Sequence, residues 1–422
     1  MTIKSFSLSL DKIILWMLVL SVCFFRYLGI TSETDFVLVL LIVFSFFVNM
    51  NTHVSIKPFV FAVIFSFYIL LNYIELGGTV AILSYNTWQI LPSLLSFLYI
   101  FQLVQRDSEF VFSFITNLNR FFNIYLYLNI PFVLLQASGL YWLAGATNGH
   151  TNPLGVDMIS GLFGFNGTAA MSLFVSFVMV ADYDYYLHYC RASQRSLFIF
   201  LMMPLLIFYL VLPFFNDNKA FYLVLLFFLF VYFVSLKFST LKHQNRFEMN
   251  LKQIGKLASI GAVFVLLVLA LYQIEPIRNL CDKLMKEVEQ GWEYAAKSHG
   301  SNERIGMIQF AFSDPQNLLQ GRGIGTHTWT EPMLFGFWHY GQADIGTFLC
   351  LGGLIFVVLI MVFMYSLVRD STGSFLLSLL CILVVIMLSV YTQLFTVLSL
   401  SASTIFFFVL CCSAYHGSSE RI

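Results

Sequence analysis

The chain contains few charged residues. Only 10% of its 422 residues are charged, whereas 59% are hydrophobic. Soluble globular proteins average about 25% charged residues, so this composition excludes an ordinary soluble domain and predicts a polytopic membrane protein. The formal net charge is zero, and such a balance gives no sign of a nucleic-acid partner.

Cysteine patterns that hold metals or form disulfide frameworks are also missing. The seven cysteines show no spacing typical of a metal site, and only Cys281 falls in the long polar segment 275–341. That segment therefore cannot close a disulfide within itself. The N-terminus has no small-residue cleavage site after its first apolar run, so we expect this run to be retained as a membrane span.

Long apolar runs dominate what is present. A membrane-spanning helix needs about 20 apolar residues. On this criterion the sequence predicts an all-α protein with about twelve transmembrane helices, at 13–30, 35–50, 58–75, 87–104, 120–138, 167–185, 196–214, 219–236, 257–274, 342–367, 374–391 and 398–414. Residues 109–119 are interrupted by Asn117, Asn119 and Arg120, so we interpret them as an interfacial helix leading into the fifth span.

The distribution of lysine and arginine predicts the orientation. Positive charges concentrate in the cytoplasmic connections of membrane proteins. Here the short connections on one side hold only Arg26 and Lys219, so we expect that side to be outside, with both termini in the cytoplasm. Three parts are predicted: a bundle of the first nine spans (1–274), one large periplasmic loop (275–341), and three C-terminal spans with a cytoplasmic tail (342–422).

Short helices are predicted inside the large loop. Apolar residues between 277 and 292 recur at three- and four-residue steps, which indicates an amphipathic helix. Ser301 is a suitable N-cap for a second helix, which Asp314 and Pro315 end. The glycines of residues 321–325 then predict a flexible turn.

Two arginines in this loop are candidates for binding a diphosphate. Arg304 opens the second predicted helix, and Arg322 stands between glycines. A guanidinium binds phosphate oxygens in a bidentate way and stays charged at every relevant pH. Outside the cytoplasm the activated sugar donors are chiefly lipid-linked diphosphates, and their cleavage leaves negative charge that cations stabilise. The alternative is that such charges only keep the loop soluble, which we favour for Arg278; for Arg304 and Arg322 both explanations stay open.

His339 and Asp344 are the candidates for acid–base chemistry. His339 stands in an aromatic stretch at the mouth of the tenth predicted span, and Asp344 follows it within that span. An imidazole is suited to take a proton from a sugar hydroxyl, with Asp344 orienting it or acting as the base itself. The alternative for His339 is a histidine in an aromatic belt at the membrane surface. An ionisable group inside an apolar span is costly, which favours a function for Asp344.

Other polar residues carry weaker signals. Lys219 and Arg26 lie at outer helix ends, where each serves either as a phosphate ligand or as a snorkelling side chain. His299 and His327 are most simply solvated loop histidines, and we expect no metal site. The residues Asp182–Asp184 have an Asp-x-Asp spacing that some sugar-nucleotide enzymes use for metal, but so short a match is common by chance and receives no role.

The order of these features resembles the bacterial oligosaccharide repeat-unit polymerases and the related O-antigen ligases. Members of this superfamily have one large, late periplasmic loop in which an arginine opens a helix and a glycine-rich turn follows, before a His/Asp segment leads into a glycine-containing span. The matching residues are Arg304, Pro315, Gly321–Gly325, His339, Asp344–Thr347 and Gly352–Leu354, with an earlier glycine-aromatic segment at Ser160–Gly164. Lys219 stands where many members have arginine.

The resemblance implies a GT-C-like, metal-independent membrane glycosyltransferase in the bacterial inner membrane. It would be an O-antigen or capsular polysaccharide polymerase that joins undecaprenyl-pyrophosphate-linked oligosaccharide repeat units on the periplasmic face, without a cofactor. Arg304, Arg322 and Lys219 would hold the pyrophosphate, and His339 or Asp344 would activate the acceptor hydroxyl. The expected partners are these lipid-linked oligosaccharides, the lipid bilayer and a chain-length regulator.

Two other functions stay open. An O-antigen ligase has the same architecture, although Tyr340 stands where ligases commonly have an asparagine after the histidine. A polysaccharide flippase or secondary transporter is the alternative from another class. Transporters place ionisable groups near the midplane and have paired halves, whereas here the charges collect in the outer loop and no repeat is evident.

Overall fold

The computed structural model describes residues 3–49, 57–139, 159–164, 167–216, 218, 220–243, 302–328 and 343–416, with single positions at 273, 275, 278, 279 and 282. These residues are helical apart from their turns and loops, and their β-type pairing is limited to one isolated parallel bridge between Gly78 and Gly325. The all-α class is therefore confirmed. The helices in chain order are α1 (Ile3–Leu20), α2 (Thr31–Val48), α3 (Lys57–Leu76), α4 (Val80–Arg106), α5 (Ser108–Ala137), α6 (Thr168–His188), α7 (Arg195–Phe215), α8 (Ala220–His243), α9 (Asn302–Ser313), α10 (Asp344–Thr372), α11 (Phe375–Tyr391) and α12 (Leu398–His416).

Within the described residues, seven helices are long and apolar enough to cross a membrane. They are Leu8–Leu28, Thr31–Val48, Val80–Arg106, Ala192–Phe215, Ala220–Phe238, Asp344–Thr372 and Leu398–His416, and shorter apolar helices occupy Val60–Leu76 and Phe375–Tyr391. A helix satisfies its own backbone groups, which is why it suits an apolar solvent. The protein thus has the character of a membrane protein, and the number of about twelve spans stays a prediction.

Some predicted segments lie outside the described residues. Most of the ninth predicted span, 257–274, falls there, as does most of the amphipathic helix predicted at 277–292. Residues 274, 341 and 342, which mark the predicted boundaries of the three parts, are also outside. The division into two bundles and a large loop therefore stays a prediction.

The interfacial helix predicted at 109–119 is part of a longer helix. α5 continues without a break to Ala137, and Asp107 caps its start by accepting a hydrogen bond from the backbone N–H of Phe110 at 3.0 Å. Asn119 does not interrupt the helix because its side chain is buried against protein. Of the two amides that suggested a surface location, Asn119 is therefore an interior group, whereas Asn117 is exposed.

The chain divides into two compact units, and aromatic rings fill the core of the first. The first unit comprises Met1–Asn51, Leu103–Pro276 and Ala402–Ile422, and the second comprises Thr52–Gln102 and Ile277–Ser401. In the first unit, the rings of Phe228 and Phe407 stack with centroids 3.8 Å apart. Phe122 contacts both Phe174 and Phe177 edge-on, an arrangement that ring quadrupoles favour.

In the second unit, α10 is broken at Gly353. The φ of 71° and ψ of −176° at this residue are not helical. Beyond the break α10 provides about 28 Å of helix, and after the turn at Gly373 the 17 residues of α11 provide about 26 Å. If α10 were straight, Asp344 would lie well beyond the end of α11. Instead, the backbone N–H of Asp344 donates to the carbonyl of Thr392, just past the end of α11, at 3.2 Å. Residues 344–352 therefore lie across the end of the α10–α11 pair instead of extending α10 outward.

The break at Gly353 generates a stability prediction with a matched control. A Cβ added at Gly353 would lie 2.3 Å from the carbonyl oxygen of Leu319, whereas a Cβ at Gly373, with φ 67°, would meet nothing within 4 Å. A left-handed backbone costs an alanine about 1–2 kcal/mol. We expect Gly373→Ala to lose about this amount of unfolding free energy and Gly353→Ala to lose at least about 3 kcal/mol, because overlap with backbone adds to it. Melting temperatures in detergent measure both, and equal losses would contradict the close approach.

Candidate site at the break in α10

The segment 314–328, which follows α9, packs into the break in α10; we call it the inserted loop. Backbone hydrogen bonds join the loop to both sides of Gly353: Arg322 N to Cys350 O (2.9 Å), Gly323 N to Leu351 O (3.0 Å), Leu354 N to Leu318 O (2.8 Å) and Ile355 N to Leu319 O (3.2 Å). A broken helix leaves N–H and carbonyl groups without partners, and these bonds satisfy them. The loop and the broken helix therefore form one structural element.

Glycines allow the loop and the helix to approach this closely. Gly321 has a φ of 75°, and a Cβ at this position would lie 2.4 Å from the carbonyl carbon of Leu351. Gly321, Gly323 and Gly325 are all buried. The turn predicted at 321–325 is present, and its glycines are packed and hydrogen-bonded inside the unit rather than exposed.

Polar side chains of α3 and α4 hold the other side of the inserted loop and the broken part of α10. Their contacts are Asn72 Nδ2 to Gln320 O (2.7 Å), Ile324 N to Asn72 Oδ1 (2.9 Å), Asn86 Nδ2 to Ile324 O (2.7 Å) and to His327 O (2.8 Å), and Tyr68 Oη to Gly352 O (2.6 Å). Sequence reasoning missed these residues. The sequence feature that could have identified them is an amide or phenol inside an apolar helix, because a buried polar group is destabilising there unless it has a hydrogen-bond partner.

Arg322 carries the predicted phosphate-binding guanidinium. Its Nη2 donates to Oδ2 of Asp314 at 2.9 Å, and the guanidinium carbon lies 4.8 Å from the centre of the Phe310 ring. The arginine and aspartate side chains are 22% and 24% exposed. Hydrogen bonds from Asn317 and then from Arg322 lower the pKa of Asp314. The guanidinium is thus held in one place with part of its surface open, and Asp314 offsets part of its charge.

Asp344 is enclosed at the start of α10. Its residue has no exposed surface. Oδ2 accepts the backbone N–H of Phe395 at 2.5 Å, and Oδ1 accepts the hydroxyl of Thr396 at 2.9 Å. A helix N-terminus also stabilises negative charge. The carboxylate fastens the chain between α11 and α12 to the start of α10, and its predicted role as a base stays a prediction.

The structure brings two of the predicted site residues to one stretch of α10. The backbone of Arg322 bonds to Cys350, and the helix rise from Asp344 to that residue is about 9 Å. His339 and Lys219 lie outside the described residues, and Arg304 is described only by its backbone, in the first turn of α9. A common site for all these residues stays a prediction.

The earlier glycine-aromatic segment is also buried, in the first unit. Oε1 of Gln136 accepts the backbone N–H of Gly161 at 2.8 Å, and Oδ1 of Asn129 accepts that of Leu162 at 2.6 Å. Gly161 has a φ of 65°, and a Cβ there would lie 2.1 Å from the oxygen of Asn129. The segment therefore closes against α5 through amide side chains, in the manner of the inserted loop.

Comparison with models of protein families, with curated proteins and with solved structures found no match for the chain. Within the described ranges, no three or more His, Cys, Asp or Glu side chains are grouped so that they could hold a metal ion. The chemical groups that the site offers are a guanidinium, a carboxylate and backbone amides.

The contacts of Asp344 predict a structural cost for its removal. Asp344→Ala would leave the buried N–H of Phe395 and the hydroxyl of Thr396 without an acceptor, at roughly 3 kcal/mol of unfolding free energy. Asp314→Ala, the control, removes a part-exposed pair and should cost no more than about 1 kcal/mol. Thermal unfolding in detergent compares the two variants. Should Asp344→Ala melt at the wild-type temperature, the anchoring role would be wrong.

Proposed function

We propose that this protein is a membrane glycosyltransferase that polymerises oligosaccharide repeat units carried on a lipid diphosphate. The observation that carries the proposal is Arg322, a guanidinium held by Asp314 and Phe310 on backbone tied to α10. Undecaprenyl pyrophosphate is the proposed carrier, and the product is an O-antigen or capsular polysaccharide. The proposed location is the bacterial inner membrane, with both termini cytoplasmic and the inserted loop on the periplasmic side.

The chemistry explains why an arginine is required. The bond between the sugar C1 and the diphosphate oxygen breaks, the acceptor hydroxyl oxygen bonds to C1, and the pyrophosphate leaves with additional negative charge. Cations positioned beforehand stabilise that charge without reorganising during the reaction, and loss of one such donor typically costs about 10²–10³ in rate. In the proposal Arg322, Arg304 and Lys219 bind the pyrophosphate, and neither a metal nor a cofactor takes part.

The acceptor hydroxyl must lose a proton. In the proposal this proton goes to His339, because both oxygens of Asp344 already accept hydrogen bonds. Asp344 then acts as a positioning residue that holds the start of α10. His339 is near enough in sequence to α10 to share this end of the helix.

A secondary transporter or flippase is the second candidate, and one observation favours it. Discontinuous helices are typical of transporters, in which they form the substrate site, and α10 is discontinuous at Gly353. In this protein, however, the inserted loop occupies the groups that the break exposes. An O-antigen ligase remains the alternative within the same class of enzyme.

The phosphate assignment predicts the phenotype of arginine variants. In a deletion strain that carries the gene on a plasmid, Arg322→Ala and Arg304→Ala should abolish long glycan chains, with at least about a hundredfold loss of rate for each cation. Arg322→Lys should restore little, since a lysine does not offer a bidentate fork. Gel banding of the surface polysaccharide measures chain length, and immunoblotting measures the amount of protein.

Two controls separate phosphate binding from loop structure. Asp314→Asn weakens the same ion pair as Arg322→Ala but keeps the guanidinium, so it should retain long chains. Arg278→Ala, at the position whose charge we explain by solubility, should also retain them. If Arg322→Ala gives normal banding, or Asp314→Asn fails equally, Arg322 does not bind the diphosphate.

The reaction class is tested by a His339→Ala variant. A polymerase without its base should still allow single repeat units to reach the lipid core, because ligation and export are separate steps. We therefore expect His339→Ala to accumulate core capped with one repeat unit. Absence of every capped product would instead indicate lost ligation or export, and the polymerase assignment would be wrong.

A further inference from the structure

Asp314 contacts the guanidinium that is proposed to bind pyrophosphate. Nη2 of Arg322 donates to Oδ2 of Asp314 at 2.9 Å. Both bidentate faces of a guanidinium include Nη2, which pairs with Nε on one face and with Nη1 on the other. A phosphate that binds Arg322 through either face therefore comes to lie beside the carboxylate of Asp314.

The carboxylate of Asp314 opposes the binding of an anion at this position. Hydrogen bonds from Asn317 and then from Arg322 lower the pKa of Asp314, so its side chain is negatively charged at neutral pH. The side chains of Arg322 and Asp314 are 22% and 24% exposed, and both are therefore accessible to solvent and to a ligand. Two like charges about 4 Å apart in a hydrated site change a binding constant roughly fivefold. An anion must therefore displace the carboxylate or bind against its repulsion.

Asn317 gives Asp314 a second hydrogen-bond donor. Nδ2 of Asn317 donates to the same Oδ2 at 2.9 Å, and the backbone N–H of Asn317 donates to the backbone carbonyl of Asp314 at 3.1 Å. The backbone of Arg322 is fixed separately, by its bond to Cys350. When an anion takes the guanidinium, the carboxylate keeps the amide donor and its contact with water. The exchange therefore leaves no buried group without a partner, which is what makes such a loss expensive elsewhere.

We propose that Asp314 is an internal competitor of the pyrophosphate for Arg322. It yields the guanidinium to the diphosphate of the incoming lipid-linked donor and takes it back after the sugar has been transferred, so that the lipid pyrophosphate leaves. This inference rests on the proposed function. The leaving pyrophosphate carries more negative charge than the donor, so a site that only bound it tightly would be blocked by its own product. Product release limits the turnover of many enzymes, and tight binding of the ground state does not accelerate the chemical step.

The sign of one binding change separates this role from a structural one. If Asp314 only oriented Arg322 for the ligand, its loss would loosen the guanidinium and weaken anion binding. If it competes with the ligand, its loss strengthens anion binding. Asp314→Asn keeps the shape of the side chain and removes its charge, and it therefore distinguishes the two roles.

Calorimetric titration of the purified protein in detergent with inorganic pyrophosphate measures this change at constant ionic strength. Asp314→Asn should bind pyrophosphate about two- to fivefold more tightly than the wild type, the range expected for an exposed ion pair. Glu75→Gln is the matched control. The exposed carboxylate of Glu75 accepts Nε2 of Gln320 at 3.1 Å, so it contacts the same inserted loop through another residue. This variant should bind as the wild type does, and Arg322→Ala should bind at least about tenfold more weakly.

Product inhibition provides a second measurement. In membranes supplied with lipid-linked repeat units, added pyrophosphate should inhibit chain elongation by Asp314→Asn at about two- to fivefold lower concentration than by the wild type. Unchanged or weaker pyrophosphate binding in Asp314→Asn would overturn the competition. So would equal tightening in Glu75→Gln, because the effect would then be a general one of charge around the loop. Equal binding by the wild type and Arg322→Ala would instead refute the phosphate assignment in the proposed function, and the competition with it.

Discussion

The hydrogen bonds between the inserted loop and the two sides of Gly353 are the constraint on which the second unit depends. A helix that breaks within an apolar bundle exposes backbone groups, and each unpaired group costs several kcal/mol where water is absent. Leu318, Leu319, Arg322 and Gly323 supply the missing partners from another part of the chain. The break and the loop are therefore each stable only because the other is present.

This dependence determines where the charged side chain lies. The backbone N–H of Arg322 takes part in this pairing, so the position of its Cα is fixed. Asp314 and Phe310 then orient the guanidinium. A side chain held in this way loses little conformational entropy when an anion binds. In both units irregular backbone is held by buried amides, by Asn72 and Asn86 in the second unit and by Asn129 and Gln136 in the first. Asn123 differs, since its partner is the carboxylate of Asp182.

Hydropathy and local signals predicted much of the fold. The helix of residues 302–313 and its end before Asp314 and Pro315 follow from capping and proline rules, and they are confirmed within the described residues. The break at Gly353 was not predictable, because apolar residues continue on both sides of it and a hydropathy window reads them as one span. The insertion of the loop depends on Arg322 meeting Cys350, which no periodicity encodes. The cost of Asp344 was recognised from the sequence, but its partners Phe395 and Thr396 come from a later part of the chain.

The buried amide of Asn86 has a consequence for the biogenesis of the protein. Its acceptors in Ile324 and His327 follow it by 238 and 241 residues in the chain. A ribosome adds about 5–20 residues per second, so this side chain spends roughly 12–50 s in or near the bilayer before its partners have been translated. During that interval the amide has to form its hydrogen bonds with other groups. The two bonds of Asn86 to Ile324 and His327 therefore form only late in synthesis, after the inserted loop has been translated.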